Sequence, residues 1–158
     1  MRERSAAAGR SQGHLGLPNA LFLVAGAERL PHDLDGLADE LRVTLPWGSL
    51  LHGAIGPETW FVELIHRLLR PGGRAQLVLS TDPREVAAGL PRLDSVSARA
   101  LADTYARGGL QPLCVRRVTT ADVNELGSSW AKRLGIPARR EAWFFGLRAP
   151  AGRGLLQH

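Results

Sequence analysis

The residues of this chain best suited to chemistry are aromatic and basic. Trp47 lies in Leu45-Pro46-Trp47-Gly48, directly after a stretch in which Leu41, Val43 and Leu45 alternate with Arg42 and Thr44. That alternation predicts a strand, and open α/β sheets bind ligands just beyond the carboxyl ends of their strands. The strand alone therefore puts Thr44, Leu45, Pro46, Trp47 and Ser49 where a ligand would meet the sheet. A second tryptophan, Trp130, shares its helical spacing with Val123, Leu126 and Leu134; taken alone, this is the pattern of a core residue. Lys132, Arg133, Arg139 and Arg140 follow it, and any one of these read singly is a solvated cation. The five histidines make no close pair with each other or with Cys114, so the sequence holds no metal-ligand spacing and no metal is expected.

A chain of 158 residues with 44% apolar content can bury one core, and a single domain is expected. A net charge of +5 and a pI of about 10.9 favour an anionic partner, with nucleic acid first among them. Lys132 is the only lysine, and guanidinium groups suit bidentate phosphate contacts. Cys114 is alone, which excludes an internal disulfide, and its apolar surroundings predict a small buried thiol. No apolar stretch nears the roughly 20 residues of a membrane span. The amino terminus has no signal-peptide core, so a cytoplasmic location is expected.

Residues 1–16 are rich in Arg, Ser, Ala and Gly without apolar period and read as a disordered arm, while residues 151–158 read as a loose tail. Between them, Ala20 to Ala25 form a short apolar run expected to be a buried parallel strand ended by Gly26. The strand through Leu41 to Leu45 comes next. A helix is expected from Pro57, with Phe61, Leu64, Ile65 and Leu68 on one face, stopped by Pro71-Gly72-Gly73. Ala75 to Leu79 is a third strand, joined by a crossover expected to be right-handed. Ser95 to Arg107 reads as a helix and Leu110 to Val118 as a strand. Thr119 with Asp122 signals the start of one helix carrying Val123, Leu126, Trp130 and Leu134, broken at Ile136-Pro137. A last strand begins at Ala142-Trp143-Phe144-Phe145. Strands alternating with helices predict an α/β sheet with helices on both faces.

Three segments in order carry a specific resemblance: Leu17-Pro18-Asn19-Ala20-Leu21-Phe22-Leu23 with Ala27-Glu28-Arg29-Leu30-Pro31; Leu45-Pro46-Trp47-Gly48-Ser49-Leu50-Leu51; and Ser128-Ser129-Trp130-Ala131-Lys132-Arg133-Leu134. Together they resemble the aminoglycoside-resistance 16S rRNA (adenine-N1) methyltransferases, over roughly Leu17 to Arg148. The resemblance implies a Rossmann-like class I methyltransferase sheet over residues 17–150, S-adenosylmethionine as cofactor and the 30S subunit with its 16S rRNA as partner. It also implies roles. Ala27 and Glu28 would lie against the cofactor, with Thr44, Leu45, Ser49 and Ser128. Trp47, after Pro46, and Trp130 would be two plates holding a flipped adenine. Lys132, Arg133, Arg139 and Arg140 would grip the rRNA backbone. Without the resemblance, Glu28 reads as a solvated turn residue.

The implied chemistry is coherent. A base leaves its stack only into a pocket that restores part of the lost stacking, and stacking on an aromatic face is worth roughly 1–3 kcal/mol per base. Adenine N1 carries a free lone pair, so no general base is needed. The Leu45-Pro46-Trp47-Gly48 loop has no amide or carboxylate of the kind that polarises an exocyclic amine, which fits N1 over N6. The sequence departs from the family pattern in two respects: it shows no Gly-x-Gly-like turn between a strand and a helix, since Gly26 and Gly72-Gly73 are isolated turn glycines, and no second strand whose acidic end would bind the cofactor ribose. The expected sheet therefore lacks the first two strands, which in such enzymes lie between the third and fourth, and a short gene model or fragment is expected, monomeric once those strands are restored. Two other functions remain open: a non-catalytic rRNA-binding remnant, and a small-molecule methyltransferase of the same superfamily, which the basic stretch around Lys132 disfavours.

Overall fold

The computed structural model describes Ala20, residues 23–125, Gly127 and residues 129–151. The chain divides into two units, Met1–Leu30 and Pro31–His158. The described part of the first holds one 3-10 turn, Ala27–Arg29. The strand expected over Ala20 to Ala25 does not form among its described members: Ala20, Leu23, Val24 and Ala25 carry no strand, and Leu23 and Val24 are 49% and 69% exposed. A buried parallel strand needs ladder partners on both edges, and no described strand pairs with this run.

The second unit opens with a 3-10 turn, His32–Leu34, and then alternates strands and helices: β1 (Ala38–Thr44), α1 (Ser49–Ile55), α2 (Trp60–Leu68), β2 (Leu69–Leu79), α3 (Pro83–Ala87), α4 (Ser95–Arg107), β3 (Gln111–Arg117), α5 (Thr120–Glu125), α6 (Ser129–Arg133) and β4 (Trp143–Arg148). The sheet order is β1-β2-β4-β3, with β1 parallel to β2 and β4 antiparallel to both neighbours. The α/β class with helices on both faces is as expected. Side chains two apart share a face of a strand, and β2 divides accordingly. Ala75, Leu77 and Leu79 join the larger core with Phe61, Ile65, Leu101 and Tyr105. Val78 points the other way, into a smaller cluster with Val118, Val123, Ala131, Ile136 and Ala142.

On the larger side, Phe61 and Phe145 are fully buried, and each stabilises the fold by roughly 1.5–3 kcal/mol through apolar burial. Tyr105 stands between them, its ring 6.4 Å from Phe61 and 5.9 Å from Phe145. Its hydroxyl donates to the Ala54 carbonyl at 2.7 Å, and burial pushes the phenol well above its ordinary pKa. Helix α4 starts where its sequence dictates: the Asp94 carboxylate accepts from the Val96 and Ser97 amides, and the Asp94 amide donates to Ser97 Oγ. These donors, the Ser97 amide foremost, hold the Asp94 carboxyl below the usual carboxylate range.

Three local expectations are corrected. The helix predicted from Pro57 starts three residues later, and a helix not predicted from the sequence precedes it. Residues 49–55 form α1, whose Leu51, Ala54 and Ile55 are buried at helical spacing, and α2 starts only at Trp60. Gly53 sits where a Cβ would come within 2.0 Å of the Trp60 ring, so the two helices touch through a missing side chain. Pro71-Gly72-Gly73 does not stop a helix. Helix α2 ends at Leu68, and the Pro-Gly-Gly segment is an irregularity inside β2, where pairing passes from Ala38–Leu69 to Glu40–Arg74 and Gly72 takes φ 76°. Two steps along β1 thus face five along β2, and the surplus loops out at the one residue that adopts positive φ without strain. Cys114 is exposed, not buried, because β3 is the edge strand and its irregularity between Pro112 and Cys114 shifts the phase.

Candidate functional site

The site is built where β1 ends. The Leu45 amide still donates to the Val78 carbonyl at 2.8 Å, continuing the ladder by one residue. Leu45 itself has φ 49°, a left-handed conformation that costs a residue with a Cβ about 1–2 kcal/mol. That turn lifts the chain off the sheet through Pro46, while the Leu45 side chain stays buried at 5% exposure in the smaller cluster. Trp47 follows at 77% exposure, and Gly48, with φ 62°, admits α1. The strain at Leu45 is thus what projects Trp47 outward from a fixed base.

Trp130 comes from the connection between β3 and β4. Its first anchor is ionic: Arg116 meets Asp122 with two bonds of 2.6 Å, and the Thr119 amide and hydroxyl both donate to the same carboxylate. Arg116 also lies 4.9 Å from the centre of the Phe144 ring. These bonds, led by those from Arg116, hold the Asp122 carboxyl far below the usual range. The single helix expected here is interrupted. Residues 120–125 form α5, Gly127 has φ 57°, and α6 begins at Ser129. The interruption resets which residues face inward, so Val123 and Ala131 are buried while Trp130 is 47% exposed. The core reading of Trp130 assumed one unbroken helix; Gly127 removes that premise.

Trp47 and Trp130 line one cleft of about 470 Å³. Pro46, Leu45 and Leu134 supply its apolar wall, and Ser80, Asp82, Glu85 and Arg140 its polar one. The two tryptophans, with Leu45 and Pro46, also border a second recess of about 380 Å³ that adds Thr44 and Leu50. The polar wall grows from the end of β2. Asp82 caps α3, accepting from the Arg84 and Glu85 amides, and Glu85 answers by accepting from the Asp82 amide. These donors, the Glu85 amide first, hold the Asp82 carboxyl below its ordinary value.

Arg140, expected to grip the rRNA backbone, is held by partners within the chain. Its side chain is only 16% exposed; Nε donates to Ser80 Oγ at 2.7 Å, and one terminal nitrogen donates to the Ser80 carbonyl at 3.1 Å and to Glu85 at 2.9 Å. Asp82 lies 3.5 Å from the other nitrogen. Ser80, buried at 1%, donates in turn to the Glu141 carbonyl at 2.5 Å, which ties the end of β2 to the chain entering β4. Lys132, Arg133 and Arg139 are exposed and separate from this network. Ser49 opens α1, is exposed and lines neither recess. Ala27 and Glu28 form the 3-10 turn of the first unit, and Ser128 lies outside the described residues. Among the described residues no group of His, Cys, Asp and Glu is arranged to hold a metal, and no helix is long and apolar enough to cross a membrane.

Ser80, Asp82 and Glu85 were not singled out from the sequence. The signal was present: Asp82-Pro83-Arg84-Glu85 directly follows a strand, and a capping box there must set two carboxylates at the strand's carboxyl end.

Residues 1–147 match the family model described as NpmA: 16S rRNA (adenine(1408)-N(1))-methyltransferase. A 16S rRNA (adenine(1408)-N(1))-methyltransferase of Streptoalloteichus tenebrarius is 35% identical over 140 residues, which are 85% of this chain and 64% of that protein. The chain thus spans just under two thirds of that relative's length. Among solved structures, a mutant of the 16S rRNA (adenine(1408)-N(1))-methyltransferase from Catenulisporales acidiphilia with cosubstrate SAM has a TM-score of 0.80 at 29% identity, covering 99% of this chain and 73% of its own. The aminoglycoside resistance methyltransferase NpmB1 has a TM-score of 0.72 at 33% identity, covering 94% of this chain and 70% of its own.

Proposed function

The chain belongs to the 16S rRNA (adenine(1408)-N(1))-methyltransferase family, and from that premise we propose that its cleft holds the flipped decoding-site adenine of the small ribosomal subunit for methylation at N1, giving aminoglycoside resistance. The observation that carries this reading is the meeting of Trp47 and Trp130 in one cleft at the carboxyl end of β1. Two half-exposed or exposed indoles from distant parts of the chain serve no packing purpose there. They suit an unstacked base, whose lost stacking an aromatic face restores at roughly 1–3 kcal/mol.

S-adenosylmethionine supplies an electrophilic methyl group when bound. The recess bordered by Thr44, Leu45, Pro46 and Leu50, mostly apolar and sharing both indoles with the base cleft, would take the methyl-bearing end of such a molecule. Those four residues would hold that end, and Ala27, Glu28, Ser49 and Ser128 are further proposed contacts for the remainder. The N1 lone pair needs no base to free it, so the work of this chain's residues is to keep the ring oriented and water away. Lys132, Arg133 and Arg139 would contact the phosphates of folded RNA, which offers shape and backbone more than base edges. Binding then weakens steeply with salt, and the assembled subunit, not free rRNA, is the substrate.

A second reading, an rRNA-binding module without catalysis, draws on the exposed Lys132, Arg133 and Arg139 alone. One experiment separates the two. Small subunits are incubated with the chain and tritiated S-adenosylmethionine, and the rRNA is read by primer extension. Label with a stop at adenine 1408 that Trp47→Ala and Trp130→Ala abolish is the expected result. Salt-sensitive binding without label leaves the non-catalytic reading; neither binding nor label removes both.

A further inference from the structure

The cleft between the indoles has a third wall, and its charge is unbalanced. Asp82 and Glu85 bring two carboxylates and Arg140 one guanidinium, so these lining groups sum to −1. Their bonds fix where the surplus lies. Asp82 spends Oδ1 on the α3 amides and turns Oδ2 toward Arg140. Glu85 spends Oε2 on the Asp82 amide and on Arg140. Glu85 Oε1 accepts no hydrogen bond from another described residue, although the side chain is only 23% exposed. Arg140, for its part, is anchored by Ser80 from behind and cannot swing away without breaking two bonds.

We infer that this wall makes the cleft selective for a base carrying positive charge, with Glu85 as the specificity-determining residue and Arg140 as the group that both positions Glu85 and limits its field. The inference rests on the cleft being a base holder. Its chemical meaning follows from where charge goes. When a methyl group bonds to adenine N1 through the ring's own lone pair, the bond to the donor sulfur breaks, that bond's electrons stay on sulfur, and the positive charge passes to the ring. No proton moves. A preformed negative wall beside the ring stabilises that charge as it develops, and the indole faces act in the same direction. A neutral ring of the same size gains nothing from either.

The test uses the unaltered chain and two isomeric nucleosides. 1-Methyladenosine is a protonated cation at neutral pH, and N6-methyladenosine, its isomer as the free base, is neutral there. Titrated at millimolar concentrations against tryptophan fluorescence, the cation should bind about fivefold more tightly, equivalent to about 1 kcal/mol, and that ratio should fall as salt is added. Glu85→Gln should bring the ratio toward one. Arg140→Gln should raise it. Opposite shifts from the two members of one ion pair separate an electrostatic role from a structural one, because a disordered wall would weaken both nucleosides in both variants. Equal affinity of the two nucleosides for the unaltered chain, or shifts of the ratio in the same direction, overturns the inference and leaves the base-holding reading intact. Failure of either nucleoside to bind overturns that reading, and the inference with it.

Discussion

The two faces of the sheet do different work with very different means. On one, β2 and β4 meet α1, α2 and α4 through some twenty buried residues, including Phe61, Tyr105 and Phe145 at 0–1% exposure. On the other, seven buried residues, Leu45, Val78, Val118, Val123, Ala131, Ile136 and Ala142, hold the short helices α5 and α6. Both indoles of the cleft depend on the smaller cluster: Trp47 through Leu45 two residues earlier, Trp130 through Ala131 beside it. The larger core therefore sets whether the chain folds, and the smaller one sets the width of the cleft. Sites assembled on weakly packed elements open locally at a fraction of the global unfolding free energy, which suits the base entry proposed for this cleft.

The strongest way to break this division is Phe61→Ala. Phe61 is fully buried, and its loss should cost about 3–5 kcal/mol, a large share of the roughly 5–15 kcal/mol that holds a domain together. Urea unfolding should give a much lower midpoint, with nucleoside binding lost only in proportion to the unfolded fraction. Ile136→Ala should behave otherwise. Ile136 is 6% exposed in the small cluster, where neighbours can close over the gap, so the cost should be about 2 kcal/mol, the low end for such a change. Its signature is local: quenching by nucleosides should disappear while the chain is still folded, and α6 amides should exchange faster while those of β2 do not. If both variants lose fold and binding together, the two clusters are one cooperative unit and the comparison fails.

The same contrast explains what the sequence made legible. The regular elements follow period: the buried Phe61, Leu64, Ile65 and Leu68 on α2 and the alternation along β2 are readable because one regular element faces one solvent boundary. Trp47 was legible for a related reason, since the end of a strand is a position that topology defines. Trp130 was not legible from period alone. Its spacing matched Val123 and Leu134, and only Gly127, a residue whose φ no pattern announces, turns it outward. The partners of Arg140 were not legible, because Ser80 and Glu85 are 60 and 55 residues away in sequence. Long-range ion pairs leave no periodic trace. The run from Ala20 to Ala25 shows the converse: its described members have a strand-like composition and carry no strand.

The smallest effect probes the seam between the two regions. Asp82 caps α3 by accepting the Arg84 and Glu85 amides, and on its other side faces Arg140 in the cleft wall. The Glu85 amide above all holds its carboxyl below the ordinary value in the folded chain. A carboxyl whose folded pKa is depressed contributes stability above its unfolded pKa and loses that contribution as pH falls through the folded one. Stability measured from about pH 5 down to about pH 2 should therefore fall more steeply for the unaltered chain than for Asp82→Ala. At neutral pH the variant should be weaker by only about 0.5–1 kcal/mol, because the cap is partly exposed, and the gap should close as acid protonates the carboxyl in the unaltered chain. The cleft should respond more than the fold does: with one of its two carboxylates gone, the wall approaches neutrality, and affinity for a cationic nucleoside should drop although the unfolding midpoint moves little. A variant that shifts the midpoint strongly while leaving nucleoside binding unchanged would assign Asp82 to the larger core and move the boundary between the regions to the far side of α3.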